Sequence, residues 1–167
     1  MAITITVEDG SGVAGANSYV DLATARAYAE QRGRVLPSDD EQAKALIIRS
    51  TDYLESFRGK YKGVKTNASN ALQWPRKCVV IDGEDWPDDA IPSELISAQC
   101  ALIIEANSIE LMPTQSGQFV IREKVGVIET EYSDAISTTG QPTIPAVDAM
   151  LEPLLSVGSF RLKTVRA

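Results

Sequence analysis

The first chemical fact about this chain is a missing residue: none of its 167 residues is histidine. Ser-His-Asp and Cys-His catalysis are excluded, with every histidine-containing metal site. Cys78 and Cys100 lie far apart in sequence. They read as buried, reduced thiols of a cytosolic protein rather than as a disulfide or a nucleophile. Gly10-Ser11-Gly12-Val13-Ala14-Gly15 spells G-x-G-x-x-G after a strand-like segment. Dinucleotide binding needs a helix that opens within the glycines and aims its amides at a pyrophosphate. Here Asn17-Ser18-Tyr19-Val20 intervene, and the next element reads as a helix, so a turn-rich loop is expected instead. No G-x-x-x-x-G-K-[ST] occurs. Asp39/Asp40, Asp88/Asp89 and Glu129/Glu131 are carboxylate pairs of the kind that hold a divalent cation or divide acid and base roles. Nothing else in the sequence completes such a site. No catalytic residue, cofactor or metal is expected, and the chain does not read as an enzyme.

Charge is the stronger signal. The net charge is −7, yet Phe57 to Ile81 holds Arg58, Lys60, Lys62, Lys65, Arg76 and Lys77 with no acid. Asp82 to Asp89 then carries five acids and no base, and Leu154 to the end carries Arg161, Lys163 and Arg166 with no acid. An acidic body repels nucleic acid at large, so any contact must be local. Arg58, Lys60, Tyr61, Lys62 and Lys65 are the candidates for it. Phe57, Tyr61 and Trp74 interleave with the bases, as in stacking sites for single strands. Against this, charge runs are commonly solvated surface, and Gln73-Trp74-Pro75-Arg76 looks like a structural corner.

The elements that would position these residues form one domain by length. Residues 3–7 alternate like a half-buried strand. Asp21 caps a helix running to Arg32, with Gly33 at its C′ position. Ser38-Asp39-Asp40-Glu41 reads as a capping box for a second helix, with Ala45, Ile48, Tyr53 and Leu54 near one side and Arg58-Gly59 at its end. Residues 60–71 read as a long loop, Lys77 to Ile81 as a short strand and Asp82 to Pro87 as a turn. Pro92 sits in the first turn of a helix reaching Met112, apolar nearly all round at Ala98 to Ile104, hence the central helix. Phe119 to Tyr132 reads as a hairpin around Gly126. Pro145 opens a last helix, and Pro153 kinks or restarts it. The expected fold is mainly α with a small β ribbon (α+β): about four helices, the hairpin near 119–132, a single domain over 1–158, and an extended C-terminal tail over 159–167. No run approaches the roughly 20 apolar residues of a membrane span. The first residues lack the basic flank of a signal peptide.

The order of segments is familiar. Ala16-Asn17-Ser18-Tyr19-Val20, Ala45 to Leu54, Leu72-Gln73-Trp74-Pro75-Arg76, Ile91-Pro92, Arg122-Glu123-Lys124-Val125-Gly126, Ile128 to Tyr132 and Pro145-Ala146-Val147-Asp148 together resemble tailed-phage head–tail connector (adaptor, or neck) proteins. That family is also labelled DnaT-like single-stranded DNA-binding protein. The first label implies a structural virion protein at the head–tail junction, made in the host cytoplasm. It would form a homo-oligomeric ring, twelve-fold, between the portal protein and a downstream neck, stopper or tail protein. DNA would pass through its channel without sequence-specific binding. In that reading Phe160, Arg161, Leu162, Lys163 and Arg166 bind the portal or a neighbouring subunit. The second label implies a replication protein that grips single strands with Arg58, Lys60, Tyr61, Lys62, Lys65 and Trp74.

Overall fold

The computed structural model describes residues 2–113 and 142–156, and the backbone of 122–125 and 128–131. Among the described residues there are four α-helices: α1 (Leu22–Gln31), α2 (Asp40–Glu55), α3 (Ser93–Ala106) and α4 (Pro145–Leu151). Six short strands pair as antiparallel ribbons: β1 (Val64–Lys65) with β2 (Arg76–Lys77), β3 (Val80–Ile81) with β4 (Glu84–Asp85), and β5 (Arg122–Val125) with β6 (Ile128–Glu131). The mainly helical α+β architecture is as expected.

α3 is the hub. It packs against α1, α2 and α4, and buries Leu95, Ala98, Gln99, Cys100, Leu102, Ile103, Ile104 and Ala106. A helix free of Gly and Pro and apolar on most sides can satisfy that many neighbours. It stops at Ala106 rather than Met112, and Pro92 is its N-cap rather than a first-turn residue. α1 starts where expected: the Asp21 side chain accepts from the Thr24 amide, and Gly33 adopts φ +65° past the end.

Other elements differ from the sequence reading. Asp39, not Ser38, caps α2 and accepts from the Glu41 amide. Glu41 does not reach back to complete a capping box. It accepts from the Ile3 amide and pairs with Lys44, tying the N-terminal segment to α2. The buried side of α2 is Ala43, Leu46, Ile47, Ser50, Thr51, Tyr53 and Leu54, while Ala45 and Ile48 are only half-buried. Residues 3–7 form no regular strand. They make a single parallel bridge, Val7 to Ser18, and bond the Asn17 side chain, which accepts from the Thr6 amide and donates to the Thr4 carbonyl. The expected loop over 60–71 contains β1, and Lys77 to Ile81 divides into β2 and β3 at Cys78, whose φ is +59°. Cys78 is exposed, not buried; Cys100 is buried. Asp82-Gly83, both at positive φ, form a two-residue hairpin turn between β3 and β4. The hairpin expected over 119–132 is β5 with β6, and its register sets Lys124 opposite Glu129 and Arg122 opposite Glu131. After α4 the chain tightens into a 3-10 turn, Glu152–Leu154, at Pro153.

Candidate nucleic-acid interface

The Asn-Ser-Tyr-Val and Gln-Trp-Pro-Arg segments meet at one buried joint. The Tyr19 hydroxyl donates to Glu55 Oε1 at 2.6 Å and accepts from the Trp74 amide at 3.2 Å. The Glu55 carboxylate also accepts from the Gln73 amide at 3.0 and 3.1 Å. Burial raises the Glu55 carboxyl above its ordinary range, opposed by these two donors and by the charges of Lys65 and Arg76. One side of the joint is fastened to the core by Gln99. Its Oε1 accepts from the Tyr19 amide, and its Nε2 donates to Ser18, Ser50 and Thr51 hydroxyls. Trp74 is fully buried, and its indole N–H has no partner among the described residues.

The joint holds the basic segment in place through Arg76. This guanidinium, 6% exposed, donates to the carbonyls of Lys62 (2.7 Å), Gly63 (2.8 Å) and Gln73, and to the Gln73 side chain. It is a brace, not a surface cation. Gly63, at φ +64°, lies so close to the Lys77 and Cys78 carbonyls that a Cβ there would collide with them. The Tyr61 ring is equally internal. Its hydroxyl donates to the Leu54 carbonyl, and its edge packs on Trp74 with centroids 5.9 Å apart. Neither Tyr61 nor Trp74 offers a face to a nucleobase, because both rings fill the core.

The remaining bases stand outward. Arg58, Lys60 and Lys77 are exposed; Lys62 and Lys65 are half-buried, each with its ammonium on a backbone carbonyl, of Val80 and Asn70 respectively. Lys60 lies 5.0 Å over the Phe57 ring. Arg58, Lys60, Lys62 and Lys65 therefore follow one another along the turn that leads into β1, and Lys77 stands across the ribbon, paired with Val64.

The end of the described chain arrives at the same place. Tyr61 and Leu155 form an antiparallel bridge. The Lys62 amide donates to the Leu154 carbonyl at 2.9 Å, and the Ser156 amide donates to the Lys60 carbonyl at 2.8 Å. Segments 96 residues apart are joined there. The tail holding Phe160, Arg161, Leu162, Lys163 and Arg166 continues from this point, and those five residues lie outside the described ones.

Beside the basic ribbon is a polar cleft of about 590 Å³, lined by the Gly10–Ala14 loop, the Thr66–Asn70 loop, Lys77, Asp88 and Asp89. The glycine loop is no phosphate cradle. Its amides turn inward: Gly10 and Gly12 donate to Glu8 Oε1 and Val13 to Glu8 Oε2, each at 2.9 Å. Glu8, 1% exposed, occupies the place an anion would take. Among the described residues no group of His, Cys, Asp or Glu is arranged to hold a metal ion, and no helix is long and apolar enough to cross a membrane.

A family model described as "Putative DnaT-like ssDNA binding protein" matches residues 3–167. No curated protein and no solved structure matches the chain.

Proposed function

The chain belongs to the DnaT-like ssDNA-binding family, and from that premise we propose that it binds single-stranded DNA through the phosphates along one basic edge. The observation that carries the reading is the bridge between Tyr61 and Leu155. It sets residues 154–156, where the second acid-free basic segment begins, against Lys60 to Lys62 of the first. Arg58, Lys60, Lys62, Lys65 and Lys77 supply the described part of that edge, and Arg161, Lys163 and Arg166 follow in sequence. Concentrated positive charge steers a polyanion to one site despite an unfavourable net charge. With Tyr61 and Trp74 buried, the grip there is electrostatic. Such binding tolerates sequence and falls steeply with salt.

Fluorescence anisotropy of a dT oligonucleotide tests this. Changing Lys60, Lys62 and Lys77 to Ala together should weaken binding at least tenfold at low salt, and Arg161→Glu with Lys163→Glu should weaken it similarly. Unchanged affinity in both variants would reject the assignment of the edge.

A second reading is the structural one: a ring-forming adaptor at a phage head–tail junction, with Phe160, Arg161, Leu162, Lys163 and Arg166 reaching the portal protein or a neighbouring subunit. The same observation favours it, because the last described residue before the tail, Ser156, is exposed beside the exposed Lys60. Quantitative mass spectrometry of purified particles separates the two. About a dozen copies per particle would fit one closed ring; absence from particles would remove the adaptor.

A further inference from the structure

Glu8 is a buried charge that the phosphate edge does not use. Three amides of the Gly10–Ala14 loop converge on it: Gly10 and Gly12 on Oε1 and Val13 on Oε2, each at 2.9 Å. Gly10 and Gly12 take φ +104° and +79°, and successive amides in such a conformation turn inward around one anion. The side chain is 1% exposed and forms no ion pair among the described residues. A buried charge is tolerated only when it is paired or hydrogen-bonded. Here the loop's own amides meet that need.

Glu8 is fixed from the core side. Its amide donates to the Ser18 carbonyl at 2.8 Å, beside the Val7–Ser18 bridge. The Ser18 hydroxyl in turn accepts from Gln99 of α3 at 2.9 Å. The carboxylate is therefore the fixed point, and the loop is laid over it. The outer side of the loop meets two other walls of the cleft. Gly10 lies so close to the Asp89 carbonyl that a Cβ would collide with it, and Gly12 lies against the Asn70 side chain. Asn70 is a node: its side-chain amide donates to the Thr66 hydroxyl at 3.0 Å, and its carbonyl accepts from the Lys65 ammonium at 2.7 Å.

We infer that Glu8 is a positioning residue whose carboxylate is the loop's built-in anion: it sets the Gly10–Ala14 backbone against Asn70 and so fixes where Lys65 stands. Removing the side chain uncovers a backbone anion site of the size of a small carboxylate. Formate should fill that site and restore the loop. The inference concerns the loop's own ligand and does not require the chain to bind DNA.

The test is Glu8→Ala in the full chain, titrated with sodium formate against sodium chloride at equal ionic strength and followed by amide chemical shifts. Formate should give saturable shifts at Gly10, Gly12 and Val13. Thr66 and Asn70 should shift with the same midpoint, toward their positions in the parent. The parent should show neither effect. The urea midpoint of the variant should fall by about 1 M and recover in part with formate but not with chloride, because a ligand that binds only the folded chain stabilises it. A side chain that merely fills space would not be replaced by formate. Asp9→Ala is the control: that neighbouring carboxylate is exposed and accepts from the Ser11 amide, so no formate response should appear. Equal responses to formate and chloride would overturn the built-in anion. Saturable shifts confined to residues 10–13, with Thr66 and Asn70 unmoved, would overturn the positioning of Lys65. Should Glu8→Ala fail to fold, Glu8→Gln keeps the size and removes the charge. Its urea midpoint should fall, and the Gly10, Gly12 or Val13 amides should exchange faster with solvent; an unchanged midpoint and unchanged exchange would overturn the inference. Failure of all-dT strands to bind would count against the phosphate edge and leave these readings in place.

Discussion

Tyr19→Phe removes one oxygen atom and tests the joint on which the basic edge is mounted. The hydroxyl has two partners, the Glu55 carboxylate at 2.6 Å and the Trp74 amide at 3.2 Å. A hydrogen bond to a charged group contributes about 1.5–3 kcal/mol, and a buried amide left unpaired costs about 1–3 kcal/mol. The two losses share one site and are not additive. No cavity worth counting opens, since the ring stays. The expected destabilisation is about 3 kcal/mol, within the sum of those ranges. With a urea m-value of about 2 kcal/mol/M, the midpoint should fall by about 1.5 M. Tyr28→Phe is the control. That tyrosine is half-buried on α1, its ring lies against the Arg32 guanidinium, and its hydroxyl has no bond among the described residues. It should stay within about 0.5 kcal/mol of the parent, as surface changes do. Urea unfolding followed by tryptophan emission reports both, because Trp74 is in the joint. A midpoint for Tyr19→Phe equal to that of Tyr28→Phe would refute the claim that this hydroxyl couples the two segments.

Glu55→Gln should change how stability depends on pH. Burial raises the Glu55 carboxyl from its ordinary 4.5 in the folded chain. Its favourable contribution is therefore complete below that value and lost as pH rises through the raised folded one. Relative to Glu55→Gln, the parent should lose stability from about pH 4.5 upward, measured by urea midpoints at several pH values; a constant difference would contradict the assignment. Gly10→Ala should cost about 1–3 kcal/mol, because a side chain is forced to positive φ. The φ there is +104°, and the new Cβ would meet the Asp89 carbonyl. Gly59→Ala, with open space around it, should be nearly neutral by the same unfolding assay. A thiol reagent should modify Cys78 at once and Cys100 only on unfolding. Cys100 is buried and its thiol is pushed up to about 11. Two thiols reacting promptly in the native protein would show the core around α3 to be open.

Much of this architecture was legible locally. α3 announces itself by fourteen residues free of Gly and Pro and apolar on most sides, and α1 by Asp21 and Gly33 at its ends. The capping of α2 was misread by one residue because Ser38 and Asp39 are both competent N-caps, and only Asp39 has its amide partner in range. Asp82-Gly83 reads as a turn, but strands of two residues carry no alternation to identify the hairpin around it. The candidate interface was legible as charge and illegible as geometry. Arg58, Lys60, Lys62 and Lys65 stand at the surface as their type suggests. Tyr61 reads as part of a stacking platform among cations, yet it fills the core; Trp74 is the structural corner its neighbours Gln73, Pro75 and Arg76 suggest; and Arg76 reads as one more cation, yet it braces three backbone carbonyls. Those roles are set by partners far away in sequence: Tyr19 is 55 residues from Trp74, and Glu55 is 18 from Gln73. Local pattern does not encode such pairings. The same holds for the bridge of Tyr61 with Leu155, and for Glu8, whose burial inside its own glycine loop removes the anion site that the loop's spelling suggests.

The central claim is that phosphates meet cations along one edge, and the salt dependence of affinity for an all-dT strand measures it most directly. Each neutralised phosphate on a single strand contributes about −0.7 to the slope of log K against log salt. With four to six of the bases at this edge engaged, the slope should be about −3 to −4, and it should shrink by about 0.7 for each base replaced by alanine at Lys60, Lys62 or Lys77. A slope near zero, or one that those replacements leave unchanged, would contradict the account.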